Sequence, residues 1–207
     1  MRGLLLKDFY MLLKYGKIFF VVVILCSALI FVGENSSFYF IYPSFLCGMM
    51  SMTLIGYDER EKWNIYSRTL PYSQTQLVSV KYLIGFAFQS VVWLISISVY
   101  AVHMIQNGTF VLETYLLLIS VFFAVSSVGQ IFILPFIFAL GVEKGRIAYY
   151  VVIGVIFALG AIITEIPFPT WEVTNTNWIA GMVFVGILVL YLVSWKISVE
   201  LYKKREM

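Results

Sequence analysis

TYLLLISVFFAVSSVGQIFILPFIFALGV, from Thr114 to Val142, runs without one Asp, Glu, Lys or Arg, and Glu113 and Glu143 close it at its two ends. About 20 apolar residues wound as α-helix cross the hydrocarbon core of a bilayer. The apolar residues are continuous and do not alternate with polar ones, which excludes a barrel strand. In lipid a backbone must satisfy its own hydrogen bonds within the segment, so the stretch reads as a spanning helix.

Working outward from it, five further charge-free stretches appear. They are Ile18 to Gly33, Asn35 to Tyr57, Tyr82 towards Leu112, Ile147 to Thr164, and Val173 to Trp195, the last entering the membrane near Trp178. The third must end early, because Gln106-Asn107-Gly108 is turn chemistry. Composition agrees. Of 207 residues, 61% are hydrophobic and 12% charged, against about a quarter charged in a soluble domain. The expected fold is all-α: a polytopic bundle of six spans forming a single transmembrane domain over 1–207, with no linker and no internal repeat. The first span is not read as a signal peptide, since its charged leader is long and no small-x-small site precedes Glu34. Cys26 and Cys47 lie inside apolar runs and read as buried thiols.

Basic residues orient the bundle. Arg2, Lys7, Lys14 and Lys17 precede the first span; Arg60, Lys62, Arg68 and Lys81 lie between the second and third; Lys144 and Arg146 between the fourth and fifth; Lys196, Lys203, Lys204 and Arg205 after the sixth. With six spans all 14 fall on one side, while the opposite loops carry Glu34, Glu113, Glu165 and Glu172. The positive-inside rule places both termini in the cytoplasm. Tyr57, Tyr82 and Trp195 at inner ends, and Tyr39, Tyr115 and Trp178 at outer ends, form the aromatic belts this frame expects.

Four segments are candidates for function. The leader, 1–17, reads as an interfacial helix: Leu5, Phe9, Leu12 and Leu13 share a face, and Lys7, Lys14 and Lys17 cluster on another, suited to anionic lipid headgroups. The loop 58–72 carries Asp58-Glu59-Arg60-Glu61-Lys62 and then Trp63 and Tyr66, a mixture suited to docking a protein; a solvated connector is the alternative. After Pro71, Ser73 and Gln76 have capping-box spacing with Tyr72 and Leu77 as a staple, so the third helix should start near Gln74. The turn Gly141-Val142-Glu143-Lys144-Gly145-Arg146 either meets the same partner or only fixes topology. The outer loop 164–177, with Pro167, Phe168, Pro169 and Trp171, is expected to tuck against the membrane.

Within the spans the ionisable side chains reduce to His103, near an outer end and read as structural. Gln89 and Gln130 are the polar groups to watch, either bonding between helices or lining a cavity. There is no GxxxxGK[ST] phosphate loop, no HExxH and no charged pair inside a span, so the chain lacks the parts of an ATPase or an intramembrane hydrolase.

Lys7-Asp8, the run Asp58-Glu59-Arg60-Glu61-Lys62-Trp63 with Leu70-Pro71 and Lys81-Tyr82, and Gly141-Val142-Glu143-Lys144-Gly145-Arg146 together resemble the permease subunits of ABC-2 type (type V) exporters. The likeness is to the small single-domain permeases of low-GC Gram-positive bacteria that include the phenol-soluble modulin exporter. It implies that the leader is an elbow helix and that the first loop holds a coupling helix seated on a separate ATPase. Asp58, Glu59, Arg60, Glu61, Lys62, Trp63 and Tyr66 would dock there, with Glu143, Lys144 and Arg146. The segment Pro167 to Trp171 would form a partly re-entrant outer cap.

The resemblance further implies no cofactor in this chain, with ATP and Mg bound by the partner ATPase. The other partners would be a second permease chain, identical or homologous, and membrane lipid, with no nucleic acid. The setting would be a bacterial plasma membrane. The expected activity is export of an amphipathic or apolar cargo such as a peptide. The competing reading is an accessory or immunity membrane protein that binds a toxin and moves nothing.

Overall fold

The computed structural model describes residues 2–32, 36–67, 69–165 and 176–206. Among the described residues the regular structure is helical: α1 (Arg2–Tyr15), α2 (Lys17–Val32), α3 (Ser36–Arg60), α4 (Trp63–Ser67), α5 (Gln74–Gln106), α6 (Leu112–Leu140), α7 (Val142–Glu165) and α8 (Thr176–Glu206). The expected outer cap around Pro167 to Trp171 lies outside the described residues, as does Arg68.

Helix ends follow local chemistry. Ser73 caps α5: its side chain accepts from the Gln76 N–H, and the Gln76 side chain accepts from the Ser73 N–H, the reciprocal capping box. At the far end the Thr109 N–H reaches the Met104 carbonyl at 3.0 Å and the Gly108 N–H reaches that of Ile105 at 3.1 Å. This is a Schellman closure, and it needs the left-handed φ of 66° that Gly108 supplies. Between α6 and α7, Gly141 takes φ 89°, which lets one helix follow the other with no connecting loop.

The described residues account for four or five of the six expected spans. Four helices are long and apolar enough to cross a membrane: α3 from Phe38, α5, α6, and α8 from Ala180 to Lys204. The pair α1 and α2, bent by 57° at its break, counts as a fifth if taken as one span. At 16 residues α2 is short by itself, and α7, which keeps the uncharged run from Ile147 to Thr164, has many of its side chains outside the described residues.

The helix α6 packs on α8, α3, α7 and α5, and α5 packs on α3, α8, α1 and α2. The α3–α6 crossing is close enough that a Cβ on Gly48 would lie 2.9 Å from the Gly129 Cα. Small residues let helix backbones approach in this way where lipid gives no hydrophobic drive for association. Phe40, Phe122 and Met50 are fully enclosed beside that seam. Outward-facing Val21, Ile24, Val185, Val189 and Leu192 are exposed, as suits side chains that meet lipid.

Candidate functional site

The basic residues gather at one end of the bundle, where α3 stops and the chain turns. Lys62 holds φ 54°, a left-handed conformation that ends α3 and costs a non-glycine residue energy. The Lys62 N–H reaches the Glu59 carbonyl at 3.1 Å, and its own carbonyl accepts from the Ile65 N–H at 3.0 Å, so this one residue closes α3 and opens α4. Along α4, Ile65 and Tyr66 point outward and are 67% and 58% exposed. Trp63 instead packs inward against the core.

Glu59 joins this turn to the second one. Its Oε2 accepts from the Val142 N–H at 3.1 Å. That N–H belongs to the first turn of α7, where no intrahelical acceptor exists and a carboxylate also meets the positive end of the helix dipole. A cleft of about 590 Å³ opens between the turns, walled by Thr53, Gly56 and Tyr57 and edged by Glu59, Arg60, Glu143 and Arg146. Tyr57 is held by stacking on Tyr15 with ring centroids 3.9 Å apart, which ties the end of α1 to the same wall. The structure therefore brings together two loops that are 83 residues apart in the chain. Glu61, Lys62 and Lys144 stand exposed around it.

Two sequence expectations need correction. Asp58, expected among the docking charges, is 3% exposed and paired with Lys7 at 2.6 Å and with Lys81. Lys7, expected among the headgroup-facing lysines, has its Nζ between Asp58, Asp8 and the Trp63 ring, 3.9 Å from the ring centroid. Two buried carboxylates outcompete headgroups for a lysine long enough to reach them. Lys14 and Lys17 remain exposed. The apolar stripe of α1 is also rotated from the expected one: Leu4, Asp8 and Leu12 are buried, one turn apart each, while Phe9 and Leu13 are exposed.

No three His, Cys, Asp or Glu side chains among the described residues come together to hold a metal ion. What the basic end offers is a mixed-charge cleft beside an exposed aromatic turn, a surface for contact. A family model described as "ABC-2 family transporter protein" matches residues 3–203, nearly the whole chain. The chain belongs to this ABC-2 transporter family. No curated protein and no solved structure matches it.

The interior of this ABC-2 permease carries a neutral polar seam. Gln89 and Gln130 are both fully buried. The Gln89 amide donates to Ser126 Oγ at 2.9 Å and to Ser127 Oγ at 2.7 Å, and the Gln130 amide donates to the Gly85 carbonyl at 2.8 Å. These bonds fasten α5 to α6. A Cβ on Gly85 would come within 2.9 Å of Gln130 Oε1 and 2.4 Å of Ser51 Oγ, so glycine is what admits the amide.

Nearer the basic end a hydroxyl chain fastens α8. Ser194 donates to the Ile131 carbonyl at 2.6 Å, which leaves its oxygen to accept from Tyr82 at 2.7 Å, and Tyr82 in turn accepts from Ser198 at 2.7 Å. The sequence reading missed this chain. Its signal is that Ser194 and Ser198 sit one turn apart where the apolar run of α8 gives way to charges, facing one side. His103 lies 3.0 Å from the Asn107 side-chain nitrogen at the end of α5.

Proposed function

We propose that this chain is the permease of an ATP-driven exporter, with both termini in the cytoplasm, and that the basic end docks a separate ATPase. The observation that carries this is the pairing of a charged cleft (Glu59, Arg60, Glu143, Arg146) with the exposed Ile65 and Tyr66 of α4, in a chain of the ABC-2 family that lacks a phosphate loop. An aromatic side chain beside a rim of charges is the composition that anchors protein interfaces. Tyr66 and Ile65 take the anchoring role that the sequence alone suggests for Trp63. Lys62 and Lys144 sit at the rim and steer encounter more than they hold it.

In this reading α2 and α7 complete six spans, α1 is the elbow helix, and Lys14 and Lys17 meet anionic headgroups. Two permease chains enclose a pathway, and ATP and Mg bound by the ATPase drive the alternation between its two states. Docking contacts perform that work only where they differ between the states. The polar groups at mid-depth are neutral amides and hydroxyls with no acid or base among them, which favours an amphipathic or apolar cargo, such as a peptide, over an ion.

The test is purification of the tagged permease from its own cells, with mass spectrometry of any ABC ATPase that comes along. Ile65→Ala with Tyr66→Ala should lose the ATPase, with affinity falling about thirtyfold or more, the cost of truncating an interface anchor. The permease should still insert. If the wild-type chain retains no ATPase, the accessory or immunity reading replaces this one.

A further inference from the structure

Four charged side chains from three helices meet at the basic end, with both carboxylates buried and the lysines partly so. Asp8 and Asp58 are 2% and 3% exposed. Lys7 reaches Asp58 at 2.6 Å and Asp8 at 3.3 Å; Lys81 reaches Asp8 at 2.7 Å and also pairs with Asp58. Each lysine touches both aspartates, so the four make a closed square of alternating sign and no net charge. Two corners come from α1, one from α3 and one from α5.

Stability is a poor explanation for such a square. Apolar side chains of similar volume commonly hold a buried site at least as well as an ion pair does. What apolar packing does not supply is register, because here every corner must meet two partners at once. The square also does not end at its corners. Lys7 Nζ stands over the Trp63 ring, and Trp63 is the first residue of α4. The Trp63 ring lies 5.4 Å from that of Tyr66, which faces outward. Past α4 the chain returns to α1, where a Cβ on Gly3 would be 3.4 Å from the Tyr72 hydroxyl. The leader helix therefore touches the α4 segment before and after it.

We infer that the Lys7–Asp8–Asp58–Lys81 square is a positioning device that fixes α4 to the leader helix, so that the outward face of α4 is held in one orientation and moves only together with α1. Lys7 is a positioning residue acting through Trp63. Asp8 and Lys81 act through Lys7 and Asp58. The inference rests on the proposed docking function for what α4 meets, and on geometry alone for what holds it.

The experiment uses the full-length permease in lipid nanodiscs, with Cys26 and Cys47 replaced by Ala. Spin labels at Tyr10→Cys and Tyr66→Cys report the α1–α4 distance, and a second pair at Ile105→Cys and Met182→Cys reports the rest of the bundle. The α1–α4 distribution should be narrow in the parent, broaden in Lys7→Met, and stay narrow in Lys7→Arg, which keeps both the charge and the ring contact. Trp63→Leu leaves the square intact and should broaden only the α1–α4 pair, so the inference is testable even where Lys7→Met fails to fold. The control pair should not change. In unlabelled protein Lys7→Met should weaken ATPase association about tenfold, within the usual range of a coupling between sites. Narrow, unshifted α1–α4 distances in both Lys7→Met and Trp63→Leu would overturn the inference. A wild-type permease that binds no ATPase would instead defeat the docking reading and leave the distance result standing.

Discussion

Two of the molecule's buried polar clusters are built with opposite chemistry. The square of Lys7, Asp8, Asp58 and Lys81 is made of full charges and sits where α1, α3 and α5 reach the basic end. The seam of Gln89 and Gln130 is neutral and sits halfway along α5 and α6. In the seam both amide oxygens go without a partner among the described residues. A neutral amide survives one unfilled acceptor in a low-dielectric interior at a cost of about 1–3 kcal/mol. A lone charge there costs far more. Depth in the membrane therefore selects the chemistry: charges are kept at the end and closed into a neutral set, and amides go to the middle. The square is demanding because each member needs two others. The seam is forgiving because its serines have a second bond to fall back on.

That contrast is open to attack. The largest effect is expected for Asp58→Ala, which leaves Lys7 and Lys81 sharing Asp8. Breaking a buried set by removing one partner costs about 3–5 kcal/mol, read as a fall in unfolding free energy in detergent titrations. Removing a base as well, as Asp58→Ala with Lys81→Met, restores neutrality and should cost clearly less than the sum of the two single changes. Simple addition would reduce the square to two independent pairs.

Gly85→Ala comes next, as a steric attack on the seam. The new Cβ meets Ser51 Oγ and Gln130 Oε1, so the Gln130 amide must leave the Gly85 carbonyl, at a cost of about 1–3 kcal/mol in the same titration. Gln89→Leu should cost only about 1 kcal/mol or less. Ser126 and Ser127 already donate to the Phe123 carbonyl at 2.9 and 2.8 Å, so neither hydroxyl is stranded. A loss as large as that of Asp58→Ala would erase the distinction between the two clusters. The smallest effect is a gain. Lys62→Gly relieves the left-handed φ of 54° between the square and α4, and should raise stability by up to about 1 kcal/mol in thermal melts of the purified chain.

The features legible in sequence were those set by neighbours along the chain. The capping box at Ser73 and Gln76 starts α5 at Gln74, as its spacing predicts, and the turn at Asn107-Gly108 ends it. Lipid-facing length is equally local, so the long apolar helices fall where the uncharged runs lie. The placement of Lys7 and Asp58 is not legible in sequence because Asp58 pairs with Lys7 and with Lys81 across three helices, and a charge in sequence looks solvated until something covers it. The available clue was Asp8 itself, one turn from Leu4 and one from Leu12 on the stripe that α1 buries. An acid placed on an apolar stripe calls for a base. The inward turn of Trp63 is hidden for the same reason: it accompanies Lys7 lying opposite, across 56 positions of chain, and the left-handed backbone at Lys62.

The glycine crossing of α3 and α6 has a mechanical side. At Gly48 and Gly129 the two backbones meet with no side chain between them, while Phe40 and Phe122 pack against each other farther along with ring centroids 4.9 Å apart, so the glycine pair is the point about which α3 crosses α6. At 1.5 Å of rise per residue, the arm from Gly48 down to Asp58 is about 15 Å and the arm up to Ser36 about 18 Å. The lower arm is unbroken helix, and the upper one contains Pro43, which removes a ladder bond and softens the rod. A load on the charged end of α3 would therefore reach the crossing through stiff helix, while the arm beyond it is softened at Pro43.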